Sequence, residues 1–97
     1  MRRDEAIAKL KDTETAIRAL GATSLYLYGS TARDEAGPDS DVDVFVEYIP
    51  GEFTLFELSG LKLLLEKHLG AQADVTTRKG INPHLRERVE RDAVRIF

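Results

Sequence analysis

The chain of 97 residues has no cysteine and no tryptophan, and only one methionine and two histidines. Without cysteine there is neither a disulfide framework nor a thiolate metal centre, and a reducing cytoplasm is the expected setting. His68 reads as a complement to a helix C-terminus, and His84 has no matching His or Cys near it, which argues against zinc. Long hydrophobic runs are also missing. The longest are of the length of Leu63-Leu64-Leu65, far short of the roughly 20 residues needed to span a bilayer, and no secretory signal precedes the first helix. Membrane insertion is not expected. Nor is there an excess of positive charge: 14 Lys and Arg stand against 17 Asp and Glu, a net charge of −3. Such a chain lacks the basic field of nonspecific nucleic-acid binders, so nucleic acid is not expected as the main partner. Arg86, Arg88, Arg91 and Arg95 do gather near the end; they read first as a solvated helix face, second as a contact for a partner or nucleotide.

What is present, 42% hydrophobic and 32% charged residues, fits one compact domain over residues 1–97. A domain of this size buries roughly 60 to 70% of its unfolded surface, which leaves no room for a separate substrate-positioning lobe. Ile7, Leu10, Ile17 and Leu20 recur at helical spacing and predict a helix from Asp4 to Leu20, closed by Gly21. Ser24 to Tyr28 predicts a first strand, with Leu25 and Leu27 on one face and Tyr26 and Tyr28 on the other. Val42, Val44 and Val46, alternating with Asp41, Asp43 and Phe45, predict a second. After Pro50-Gly51, Thr54 and Glu57 form a candidate capping box, with Phe53 and Leu58 as a hydrophobic staple. The helix that follows has Phe56, Leu61, Leu64, Leu65 and Leu69 as its expected buried side and Gly70 as its C-cap. Ala71 to Thr77 predicts a third strand. Asn82 as N-cap and Pro83 as first residue open a last helix carrying Leu85, Val89 and Ala93, and Val94 to Phe97 packs back as an extended tail. The order predicts an α/β (α+β) fold, a small sheet with helices mainly on one face.

The segment between the first two strands changes from scaffold to chemistry. Gly29 follows the first strand directly, where the missing side chain permits a tight turn and close approach of backbone to phosphate oxygens. Ser30 adds a hydroxyl, and a helical turn from Thr31 would point its free amides at an anion. Arg33, one turn in, is either a charge partner for phosphate or a structural clamp. Asp41 and Asp43 lie ~6.6 Å apart along one face of a strand, a spacing that lets them share divalent metal. Magnesium takes one or two carboxylates plus substrate phosphate oxygens, and a pair of ions can stabilise both oxygens of an in-line phosphoryl displacement. Asp74, with Thr76 on one face of the third strand and Ala73 and Val75 on the other, is the candidate third acid, able to bridge metal or to orient the proton of an attacking hydroxyl. A calcium loop built on Asp39, Asp41 and Asp43 fails, because Val44 and Pro50 stand where glycine and glutamate are required.

Gly29-Ser30, Asp41-Val42-Asp43 and Asp74 resemble the motif of the DNA polymerase beta-type nucleotidyltransferase superfamily: Gly-Ser, a spacer, Asp-x-Asp, and a third acid on a later strand. The strings Tyr28-Gly29-Ser30-Thr31-Ala32-Arg33 and Ser40-Asp41-Val42-Asp43-Val44 resemble its minimal nucleotidyltransferase branch over nearly the whole chain. The resemblance implies a palm-like nucleotidyltransferase core, with Asp41, Asp43 and Asp74 catalytic and binding Mg2+, two ions in number, and Gly29, Ser30 and Arg33 binding ATP. That branch includes MntA-type antitoxins, which transfer AMP to a tyrosine of an all-helical HEPN ribonuclease toxin and release pyrophosphate. The implied function is therefore an antitoxin that adenylates a cognate HEPN toxin. The alternative is a module that neutralises its partner by complex formation without catalysis.

Overall fold

In the computed structural model, which describes residues 1–97, the first apolar repeat does not run through a single helix. It is divided into α1 (Arg3–Lys11) and α2 (Glu14–Ala19). The break is local in origin. The hydroxyl of Thr13, a buried residue, donates to the Leu10 carbonyl at 2.6 Å, and the Thr13 amide donates to the same oxygen at 3.0 Å. A short side chain that bonds its own backbone in this way competes with the helical ladder. Leu10 and Ile17 still reach the same core from either side of the bend.

The remaining elements follow as β1 (Ala22–Tyr28), α3 (Gly29–Ala32), β2 (Val42–Tyr48), α4 (Leu55–Leu69), β3 (Ala73–Thr77), a 3-10 turn (Arg78–Gly80), α5 (Arg86–Asp92) and β4 (Val94–Arg95). The four strands make one mixed sheet in the order β3-β2-β1-β4. β1 is antiparallel to β2 and to β4, whereas β2 and β3 are parallel. Parallel neighbours need a long crossover, and α4 provides it. No helix is long and apolar enough to cross a membrane.

Strand alternation separates the two faces of this sheet. Leu25 and Leu27 of β1 and Val42, Val44 and Val46 of β2 are fully buried against Ala6, Leu10, Ile17, Leu61, Leu65 and Leu69 of α1, α2 and α4. On the other face Phe45 is buried with Ile81 and Val89, flanked by Tyr26, Tyr28 and Ala93. Tyr26 and Phe45 stack at 4.7 Å, and the Arg78 guanidinium lies 4.9 Å over each ring, so this second layer is aromatic and cationic where the first is aliphatic.

The ends of α4 are set by local chemistry. The Thr54 hydroxyl accepts from the Phe56 amide at 3.2 Å, the Glu57 carboxylate accepts from the Thr54 amide at 3.2 Å, and Gly70 closes the helix at φ 68°. Its buried stripe differs from the expectation in one respect. Phe56 is 88% exposed, as are Leu55 (79%) and Leu63 (67%). At 100° per residue, Phe56 and Leu63 stand about 160–180° round the helix from the centre of the Leu61, Leu65 and Leu69 stripe, so neither can face the sheet. The last helix also begins later than expected. Pro83-His84-Leu85 form a turn, in which Asn82 accepts from the His84 amide through its side chain and from the Leu85 amide through its carbonyl, both at 2.9 Å. Helical structure starts at Arg86. Beyond it, Val94 and Arg95 pair with Leu27 and Tyr26.

Candidate active site

The site is built on the second face, at the end of the sheet where β1 meets α3. Asp43 is paired in register with Tyr28 on one side and with Asp74 on the other. Adjacent strands stand about 4.8 Å apart, so Tyr28, Asp43 and Asp74 form one row across three strands. Val42, Val44 and Ala73, buried on the reverse face, hold the two carboxylates on rigid backbone. Asp41 lies one residue ahead of β2 and is exposed. Asp43 and Asp74 are thus direct neighbours, and Asp41 flanks them from the entry to the strand.

Gly29 begins α3 with φ +73°, a conformation in which side chains are strained. A Cβ on Gly29 would also collide with the Asp43 carboxylate. The tight turn expected there therefore does two things: it reverses the chain after β1, and it brings bare backbone against the acid. An open cleft of about 330 Å³ runs from this point, lined by Tyr28, Gly29, Ser30, Arg33 and Asp43 on one side and by Leu85, Arg88, Val89 and Asp92 of the α5 segment on the other. Arg33 is held at its edge, donating to Asp92 at 2.7 Å and to Glu35 at 3.1 Å. These ion pairs raise its already high pKa and tie α3 to α5.

The electrostatics of the row set it apart. Burial, then the charges of Asp74 and Asp41, push the Asp43 carboxyl up from 3.8 to about 6, with Arg33 opposing. Burial and the same acids Asp43 and Asp74 push the Tyr28 phenol up to about 12. None of Asp41, Asp43 and Asp74 takes part in an ion pair. A half-buried carboxylate is ordinarily compensated, and crowded acids lacking a protein cation favour an external one. No group of three acidic or histidine side chains stands at mutual metal-ligand spacing; the arrangement is a pair with a flanking third acid. That donor set fits magnesium, which takes few protein carboxylates and completes its shell with water and phosphate oxygens.

The far wall of the cleft was not singled out by the motif. Leu85, Arg88, Val89 and Asp92 follow one another at helical spacings of three, four and seven from Leu85. That periodicity is visible in the sequence, but only the packing of Val89 against Phe45 shows which way the stripe turns.

The family described as nucleotidyltransferase domain matches residues 10–96 of this chain. A protein of Methanocaldococcus jannaschii whose assignment is protein adenylyltransferase is 38% identical over 77 residues, covering 79% of this chain and 82% of its own. A solved structure described as a minimal nucleotidyltransferase superposes with a TM-score of 0.83 at 36% identity, covering 97% of this chain and 95% of the other. A toxin-antitoxin crystal structure with AMP-PNP shares the fold at a TM-score of 0.72 and 17% identity, over 90% of this chain and 72% of that one.

Proposed function

The chain belongs to the nucleotidyltransferase domain family and is a nucleotidyltransferase; on that premise we propose that it transfers AMP from Mg-ATP to a tyrosine hydroxyl of a partner protein, a HEPN-type toxin that it neutralises as an antitoxin in the cytoplasm. The relatives support the transfer, being assigned as protein adenylyltransferases at up to 38% identity. The toxin-antitoxin structure with AMP-PNP shares the fold and supports the partner class and the nucleotide.

The observation that carries this reading is the Asp43–Asp74 pair beside a glycine that cannot be replaced without striking Asp43. Gly29 and Ser30 hold phosphate through close backbone approach and a hydroxyl, and Arg33, paired with Asp92 and Glu35, braces the border of the same cleft. Asp43 and Asp74, with Asp41 flanking them, are the residues that would hold magnesium, two ions in this reading. When bound, magnesium neutralises phosphate oxygens and steadies the attacking and departing oxygens. Asp74, exposed and outside the cleft, faces the side open to an incoming hydroxyl, which it orients and whose proton it accepts. The hydroxyl oxygen bonds the α-phosphorus, the bond to the bridging oxygen breaks, and pyrophosphate departs.

Incubation of the purified chain with labelled ATP, magnesium and a candidate HEPN-type toxin is expected to label a tyrosine of that protein. Absence of label with wild-type chain would defeat the catalytic reading. The competing reading, neutralisation by complex formation alone, is separated by Asp43→Asn: full protection of cells by this variant favours binding, and lost protection with a retained complex favours catalysis.

A further inference from the structure

The two arginines of the cleft differ in their surroundings. Arg33 is already neutralised by Asp92 and Glu35, at 2.7 and 3.1 Å. Arg88, exposed on α5, lines the same cleft and has no carboxylate within ion-pair distance. The neighbouring Arg91, by contrast, pairs with Glu87 at 3.9 Å and does not line the cleft. The only acid that lines the cleft besides Asp43 is accounted for: Asp92 is bound to Arg33.

The course of the cleft gives Arg88 a counterpart. Asp43 lines it, whereas its row neighbour Asp74 does not. A phosphorus that reacts beside Asp43 and Asp74 therefore sits at the cleft's mouth. In the nucleotide-transfer reading the two phosphates beyond it would extend inward, past Gly29 and Ser30, toward α5. We propose that Arg88 grips these outer phosphates, the part of the nucleotide that leaves as pyrophosphate, from the wall opposite Gly29-Ser30. The inference rests on the nucleotide-transfer reading above. A guanidinium suits the position because its planar fork can bond two phosphate oxygens at once. Arg33 acts here as a positioning residue, since its bond to Asp92 fixes α5, and with it Arg88, across from Ser30.

Calorimetric binding of ATP and of AMP, each with magnesium and the full chain, tests the assignment. Arg88→Ala is expected to weaken ATP by roughly 10- to 100-fold, the loss of a charge-assisted phosphate contact, and to change AMP by no more than about twofold. Arg88→Lys should recover part of the ATP affinity, and Arg91→Ala should alter neither ligand. Because Arg88 is exposed and unpaired, the melting temperature of Arg88→Ala should match wild type. Unchanged ATP affinity in Arg88→Ala, or equal losses for ATP and AMP, would overturn the proposal. A wild-type chain that binds no ATP would instead overturn the nucleotide reading itself.

Discussion

The two faces of the sheet are made by the same strands and do opposite work. On one, Leu25, Leu27, Val42, Val44 and Val46 are fully buried under α1, α2 and α4. On the other, Tyr28, Asp43 and Asp74 stand in a row in which burial and the neighbouring acids raise Asp43 and Tyr28. Because successive side chains alternate, each buried valine fixes the carboxylate beside it in sequence. The aliphatic face thus supplies the stability that lets the opposite face keep like charges close together, at the cost typical of a functional site.

This contrast can be broken from either side. The largest effect is expected on the aliphatic face: Leu65→Ala, which empties a fully buried position, should cost about 2–5 kcal/mol in denaturant unfolding. Gly29→Ala acts where the faces meet. Its positive φ and the contact with Asp43 predict a loss of about 1–3 kcal/mol, together with reduced transfer activity because the carboxylate must move. Thr54→Ala removes the α4 cap, far from the acids, and should cost about 1 kcal/mol with activity retained once corrected for folded fraction. Phe56→Ser, at an 88% exposed site, should change stability by less than about 0.5 kcal/mol; a larger loss in thermal unfolding would mean that α4 buries a second face.

Much of this arrangement was legible in the sequence because its signals are local. The alternation from Val42 to Val46, the Thr54–Glu57 box and the glycines at 29 and 70 each encode backbone geometry within a few residues, and the structure keeps them. The family was legible for the same reason, since Gly29-Ser30 and Asp41-Val42-Asp43 lie on one turn and one strand entry. What was not legible depends on distant contacts. The bend at Thr13 places Leu10 and Ile17 in the core as a continuous helix also could, so periodicity alone does not reveal it. Phe56 reads as apolar and helical, yet its direction is known only once Leu61, Leu65 and Leu69 meet the sheet. Arg33 finds Asp92 across 59 residues, and Arg88 joins the cleft only through the docking of α5.

If metal and nucleotide bind at the Asp43 row, they relieve acids that the fold crowds together without a paired cation. The Asp43 carboxyl is raised from 3.8 to about 6 in the fold, so its contribution to stability is present below about pH 4 and is lost as pH rises through about 6. At pH 8 the full penalty applies, about 1 kcal/mol after allowance for solvent screening of a half-buried group. The direct measurement is thermal unfolding of wild type and Asp43→Asn at pH 8, with and without Mg-ATP. Without ligand the variant should be the more stable, by a margin that closes toward pH 4. Ligand at a hundredfold excess over Kd should stabilise wild type by about 2.7 kcal/mol and the variant by far less. Equal stabilisation of both by Mg-ATP, or a variant less stable than wild type in its absence, would contradict this relief.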